Sequence, residues 1–276
     1  MSLIVRGTWE EIIHMTDLKF EFDPLQMYFG EPYVIPSEVA NDITIYEPTI
    51  GDILTFGEKK FYSSLNVFVT NPTSNRVMLW DNGLDWNKLS DFDLFLLLYK
   101  SLKEDSTKLL FGDIDFQKFQ LCKTTSEGET EEDVEESYIL YNQEQNYLID
   151  EKVYNTMSAY LRTMFNIFPK VEKAKGKTTK EWMIMEDRQE MERNKDKEYK
   201  SNLLPLISSC VNHPGFKYKT NELKEVHIME FMDSVQRLQV YESTTALLQG
   251  RFSGMIDTSK IDDKEFNFMR DIYATK

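Results

Sequence analysis

The spacing of apolar residues predicts a mainly helical chain. Apolar side chains recur every three to four positions through residues 49–112 and again through residues 151–276, which is the period of an amphipathic helix. Thr49, Ser90 and Asp150 each precede such a stretch, and their side chains can cap the first free backbone N–H groups of a helix. The predicted helices span about 50–66, 90–102, 150–168, 178–198, 203–211 and 224–247, with a short final helix from Asp262.

Residues 113–150 follow a different pattern. Short apolar or alternating runs at 116–121, 137–141 and 147–149 are typical of strands. They predict a small antiparallel sheet inserted between the helices. The loop at 127–136 carries seven acidic residues in ten positions, and repulsion between like charges favours a solvated loop there.

These patterns divide the chain into four segments. Residues 1–48 hold an alternating run at 18–22, and prolines at 32, 36 and 48 interrupt the stretch beyond it; this pattern predicts an extended N-terminal arm with short strands. Residues 49–112 form the first part of a helical core, and 113–150 form the β insertion with its acidic loop. Residues 151–276 are a helical C-terminal region that forms one compact unit with 49–112. The predicted fold class is α+β, mainly α-helical with a small antiparallel β insertion.

Composition and charge narrow the classes of partner. The 276 residues are 41% hydrophobic and 13% aromatic, enough apolar surface to fill a core. The formal net charge is −15, which disfavours nucleic acids and anionic membranes because both present negative charge. We find neither a basic region followed by an apolar leader nor a run of about twenty apolar residues. We therefore expect a protein that stays in the compartment where it is made, with other proteins as its partners.

The residue types needed for catalysis are scattered along the chain. The two cysteines and three histidines are far apart in sequence, which does not fit a zinc site. The pairs Asp91/Asp93 and Asp113/Asp115 fit a helix N-terminus and a solvated turn. The run 58–60 (Glu-Lys-Lys) lies on a predicted helix and fits a solvated face better than a metal-dependent nuclease. We predict no enzyme activity and no catalytic, cofactor or metal site.

Two further features concern binding. Lysines 170, 173, 175, 177 and 180 form a basic run that fits a nucleic-acid contact, pairing with the acidic loop 127–136, or a solvated linker. Apolar residues are few on the polar helix 178–198, and methionines can form an adaptable binding surface. The predicted partner-contact residues, each of which also fits a place in the core, are Trp80, Trp86, Trp182, Met183 and Met185.

Several short segments resemble uncharacterised proteins of tailed phages that infect Gram-positive bacteria. They are residues 49–53, 56–58, 77–81, 85–86, 110–113, 203–218 and 246–254. The chain is also similar to tail assembly chaperones in its proline-threonine entry into a helix, its acidity and its helical C-terminal half. Those proteins coat the tape-measure protein while the tail tube polymerises.

The resemblance implies a non-enzymatic factor of tail assembly in the host cytoplasm. Its partner would be the tape-measure protein or another tail protein, and no catalytic residues are implied. Two alternatives stay open: a structural tail or neck protein retained in the virion, or a phage effector that binds and inhibits a host protein. The oligomeric state is not determined by the sequence.

Overall fold

The computed structural model describes residues 22–126, 135–254 and 257–272. Its helices are α1 (Pro24–Tyr28), α2 (Ile50–Phe56), α3 (Glu58–Val69), α4 (Arg76–Asp81), α5 (Asp91–Leu98), α6 (Lys108–Phe111), α7 (Glu151–Phe165), α8 (Lys177–Asn194), α9 (Leu203–Val211) and α10 (Ile228–Ser253). Its strands are β1 (Tyr33–Ile35), β2 (Ile43–Ile45), β3 (Gln120–Ser126), β4 (Glu135–Asn142) and β5 (Tyr147–Ile149). Mainly helical, with two small antiparallel sheets, the fold confirms the predicted α+β class.

The three predicted helix starts are confirmed by their caps. Thr49 and Ser90 each form a capping box, in which the cap side chain and an aspartate three residues later bond each other's backbone N–H groups. Asp150 Oδ1 accepts a hydrogen bond from Val153 N at 2.7 Å. These local bonds satisfy N–H groups that have no partner within the helix.

Other helix predictions are wrong in extent. The helix predicted at 50–66 is two helices, because Gly57 between α2 and α3 has φ +98°, a conformation that favours glycine. The helix predicted at 224–247 starts later and runs further, as α10. The final helix from Asp262 is only a 3₁₀ turn, Asp263–Phe266.

The predicted β insertion is present as a three-stranded antiparallel sheet, in the order β3-β4-β5. Its first strand begins at Gln120 rather than at residue 116, because residues Phe116–Lys118 form a 3₁₀ turn. Most of the predicted acidic loop, residues 127–134, lies outside the described residues. A second sheet pairs β1 with β2. Residues 18–21 of the alternating run predicted near the N-terminus also lie outside the described residues.

One hydrophobic core joins residues from Met27 to Phe231. Its centre holds the rings of Phe68, Phe95, Phe111 and Phe116, with neighbouring centroids 4.9–5.4 Å apart. Helix α7 crosses this centre and is buried along most of its length. The fold therefore has a strong central scaffold to which smaller surface elements are attached.

Main-chain hydrogen bonds join the two ends of this core. Ile50 N donates to Val226 O at 2.9 Å, and Ile228 N donates to Pro48 O at 3.1 Å. The start of α10 is thus held against the start of α2. The later turns of α10 are covered by the C-terminal segment, where Thr244 Oγ1 donates to Glu265 O at 3.0 Å.

Candidate protein-binding surface

A second, smaller hydrophobic cluster lies beside the main core. Its buried residues are Leu79, Trp86, Leu94, Ala174 and Ile184. We call the two stretches that build most of it, residues 76–89 and 170–194, the tryptophan lobe. The lobe places α8 against α4 and the loop that follows α4.

Two of the predicted contact residues form the interior of this lobe. Trp86 is 2% exposed, and its Nε1 donates to Glu172 O at 3.3 Å. The half-buried ring of Trp80 lies 6.1 Å from it, centroid to centroid. Their placement gives both rings a packing role within the chain.

The other three predicted residues lie on two different faces of α8. Met183 packs on the small core beside the buried Ile184. Trp182 is 58% exposed and Met185 is 49% exposed. Because residues three apart on a helix are neighbours, Trp182 and Met185 form one exposed apolar pair. The structure therefore brings Trp80, Trp86 and Met183 together and leaves Trp182 and Met185 at the surface.

An arginine joins α4 to the face of α8 that packs on the small core. Arg76 contacts Asp187 through Nε at 2.5 Å and Nη2 at 2.6 Å, and it contacts Glu172 through Nη1 at 2.6 Å. Asp187 raises the pKa of the guanidinium, and Lys170 together with Arg76 lowers the pKa of Glu172. Sequence reasoning missed this network, because its members are about a hundred residues apart and show no local pattern.

The basic run is only partly a solvated segment. Lys180 pairs with Asp85 at 2.5 Å, which lowers the pKa of that carboxyl, and its Nζ lies 5.7 Å from the Trp86 ring centroid. The backbone of residues 170–174 bonds the side chains of Asn71, Thr73 and Asn87. The segment therefore lies along the protein, while Lys173 and Lys175 are exposed. Pairing with the acidic loop involves residues outside the described ranges.

We expect replacement of Arg76 by glutamine to loosen α8 selectively. Loss of charge-assisted hydrogen bonds to two carboxylates should lower the free energy of opening of α8 by about 2 kcal/mol. Hydrogen–deuterium exchange would show this as faster exchange across Lys177–Asn194, with unchanged protection in α7.

A suitable control is Arg188→Gln. Arg188 also bridges to α4, through Asp81, but both partners are about half exposed, so its loss should cost less than about 1 kcal/mol. Equal acceleration in the two variants, or acceleration throughout the core, would contradict the assigned role of Arg76.

Three carboxylates of the pairs considered for catalysis form ion pairs or hydrogen bonds that stabilise the fold. Asp91 pairs with the buried Arg162 at 2.7 Å, and Asp93 belongs to the Ser90 capping box. Asp115 Oδ1 accepts from Gln117 N at 2.9 Å. In the described ranges, histidine, cysteine and carboxylate side chains form no group of three that could hold a metal ion.

The comparisons with known proteins add no relationship. No family model, curated protein or solved structure matches the chain significantly. Of the helices described, none is both long enough and apolar enough to cross a membrane.

Proposed function

We propose that this protein is a non-enzymatic factor that binds another protein during phage tail assembly, with Trp182 and Met185 of α8 as the centre of the contact. The observation that supports the binding proposal is the exposure of this pair on α8, a helix that is held to the rest of the protein by the ion pairs Arg76–Asp187 and Lys180–Asp85. A large aromatic ring on a preorganised helix loses little freedom on binding, which is typical of interface anchors.

The charges around the pair indicate the chemistry of the partner. Glu186 and Glu181, the latter paired with Lys177 at 3.8 Å, are exposed neighbours of Trp182 on α8, and the whole chain carries a formal charge of −15. The complementary surface would be an apolar helix face flanked by lysine or arginine. The phage context rests on the resemblance of the chain to tail assembly chaperones, whose partner is a long helical tape-measure protein.

The proposal can be tested by affinity capture from phage-producing cells, followed by mass spectrometry of the eluate and of purified virions. We expect a tail protein in the eluate and no copy of this chain in virions. A fixed number of copies in virions would contradict an assembly factor and support a structural tail or neck protein. Recovery of a host protein alone would contradict the tail role.

The double variant Trp182→Ala/Met185→Ala locates the contact. We expect it to reduce recovery of the partner at least about tenfold, because truncation of a central anchor costs about 2 kcal/mol or more. The matched control is Phe252→Ala/Met269→Ala, which removes an aromatic ring and a methionine that are 84% and 72% exposed elsewhere. Normal recovery with the first variant, or equal loss with both, would contradict an interface on α8.

A further inference from the structure

A cleft of about 660 Å³ opens on the side of α3. One wall is the start and one face of that helix, a second wall is the turn at residues 101–106, and Tyr199 borders a third side. The volume falls within the range of small-molecule binding sites. None of the residues proposed to bind a protein lines this cleft.

The helix end at the cleft is uncapped. Gly57 precedes α3, and no side chain accepts a hydrogen bond from the first turn of this twelve-residue helix. Gly57 has no side chain to cover the N–H groups, and a Cβ built there would meet no atom within 4 Å. The N-terminus of a helix carries partial positive charge and free N–H donors, a combination that attracts anions.

A buried hydroxyl in the same cleft also lacks a partner. Ser106 lines the cleft, is 6% exposed, and its Oγ has no hydrogen bond. Buried hydroxyl groups are normally hydrogen-bonded, because an unpaired one carries a desolvation cost. This is an independent sign of a polar ligand at the cleft.

The charges of the cleft are opposite to those of the chain as a whole. Lys59, Lys60 and Lys103 line it, and none of them is in an ion pair within the described ranges. Lys60 Nζ lies 4.1 Å from the Phe56 ring centroid, and Lys59 Nζ lies 5.9 Å from that of Tyr199. The acidic residue at the cleft, Glu58, already has partners: its Oε1 accepts from Asn202 N at 2.7 Å and from Leu203 N at 3.0 Å, and its carboxylate also acts on Tyr199 at the cleft border. Three lysines thus line a cleft that also contains an uncapped helix end, in a protein of net charge −15.

Burial and the Glu58 carboxylate act together on Tyr199. They raise the pKa of its phenol to about 12, so that hydroxyl is neutral at physiological pH. The Tyr199 ring, Val67 and Leu102 give the cleft apolar walls. Such walls suit the carbon skeleton of a ligand whose charged end lies among the lysines.

We propose that this cleft binds a small organic phosphate. The phosphate group would be held by the first turn of α3, Lys59, Lys60, Lys103 and the Ser106 hydroxyl, and the apolar part would lie against Val67, Leu102 and Tyr199. Lysine ammonium groups and backbone N–H groups at a helix start are both established ways of binding phosphate oxygens.

The test is titration calorimetry of the full chain at low ionic strength with phenyl phosphate, inorganic phosphate and phenol. We expect phenyl phosphate to bind most tightly, inorganic phosphate more weakly, and phenol without measurable heat. Absence of phenyl phosphate binding at millimolar concentration would overturn the proposal. Binding of inorganic phosphate at equal or higher affinity would overturn the organic part of it, and equal binding of phenol would overturn the phosphate part.

Variants assign the binding to the cleft. Lys59→Gln/Lys60→Gln/Lys103→Gln should bind phenyl phosphate at least about tenfold more weakly. The control Lys152→Gln/Lys173→Gln/Lys175→Gln removes the same charge from exposed positions elsewhere and should bind like the original chain. Equal loss in both triple variants would show a general charge effect and overturn the site.

Ser106→Ala separates binding from folding. Because its hydroxyl has no partner in the free protein, we expect an unchanged or higher melting temperature together with about three- to tenfold weaker binding of phenyl phosphate. Unchanged binding in this variant would remove Ser106 from the site and, with it, the second observation on which the proposal rests.

Discussion

Replacement of Arg162 by methionine is expected to lower the free energy of unfolding by about 3–5 kcal/mol. Arg162 is 7% exposed and lies on α7 in the main core. Its Nη2 contacts Asp91 Oδ2 at 2.7 Å and Thr70 O at 2.8 Å, and its Nε donates to Val69 O at 3.0 Å. The side chain therefore joins the end of α3 to the start of α5.

The cost arises mainly from the groups left behind. Methionine keeps most of the volume of the arginine stem but none of its donors, so Asp91 loses its cation in a site where its side chain is 14% exposed. Two carbonyl groups near the end of α3 lose donors at the same time. An uncompensated buried charge is far more destabilising than the loss of an exposed pair.

Denaturant unfolding of four variants, Arg162→Met, Asp91→Asn, their combination and Lys108→Met, would check this account. In Arg162→Met/Asp91→Asn the lone charge is removed, so the double variant should be less destabilised than the sum of the two single variants. Lys108→Met, which breaks the exposed pair with Asp113, should change stability by less than about 1 kcal/mol. A similar small effect of Arg162→Met would contradict the assigned role of the buried pair.

Stability is expected to fall between about pH 4.5 and pH 7 because of Glu47. This residue is 7% exposed; its Oε1 accepts from Met229 N at 2.7 Å, and its Oε2 has no partner. Burial, with a smaller contribution from Glu230, raises its pKa from 4.5 to about 7, despite the opposing hydrogen bond from Met229 N.

The direction of this change in stability with pH follows from the number of protons that the folded and unfolded states bind. The folded protein holds this proton up to about pH 7, whereas the unfolded chain releases it near pH 4.5. The contribution to stability is therefore complete below about pH 4.5 and is lost as the pH rises through about 7. A shift of this size corresponds to about 3 kcal/mol.

Glu47→Gln should remove most of this pH dependence. Glutamine keeps an oxygen that can accept from Met229 N and cannot ionise, so the variant should match the original chain near pH 4 and exceed it by about 2–3 kcal/mol near pH 8. Urea unfolding across this range would measure the difference. The exposed carboxylate variant Glu38→Gln should leave the slope unchanged, and an unchanged slope in Glu47→Gln would contradict a titrating Glu47.

The features that could be predicted from the sequence are those set by neighbouring residues. Thr49 and Ser90 begin helices because their bonding partners lie three positions ahead. The break at Gly57 was missed because apolar residues keep a helical period on both sides of it, and one glycine in a helix costs only about 1 kcal/mol. The length of α10 was missed because its later turns are covered by residues 263–270, a long-range contact.

In the candidate surfaces, too, features that depend on residues far apart in the sequence could not be predicted. Trp86 and Trp182 are both tryptophans among polar residues, yet one is buried and the other exposed. The difference is set by which face of α8 meets α4, and that depends on Arg76 and Asp187, 111 positions apart. The cleft beside α3 brings residues 57–67 together with Tyr199. Lys59 and Lys60 alone fit any solvated helix face.

The hydrogen bonds that join residues 47–50 to residues 226–229 have a consequence for synthesis of the chain. Glu47 and Met229 are 182 positions apart, and contacts between distant segments slow folding. At about 5–20 residues per second, a ribosome needs roughly 10–40 seconds to supply the second partner after the first. During that interval α2 lacks the segment that packs on it, the turn at residues 222–225 and the start of α10, so the nascent chain is exposed to aggregation until these residues have emerged.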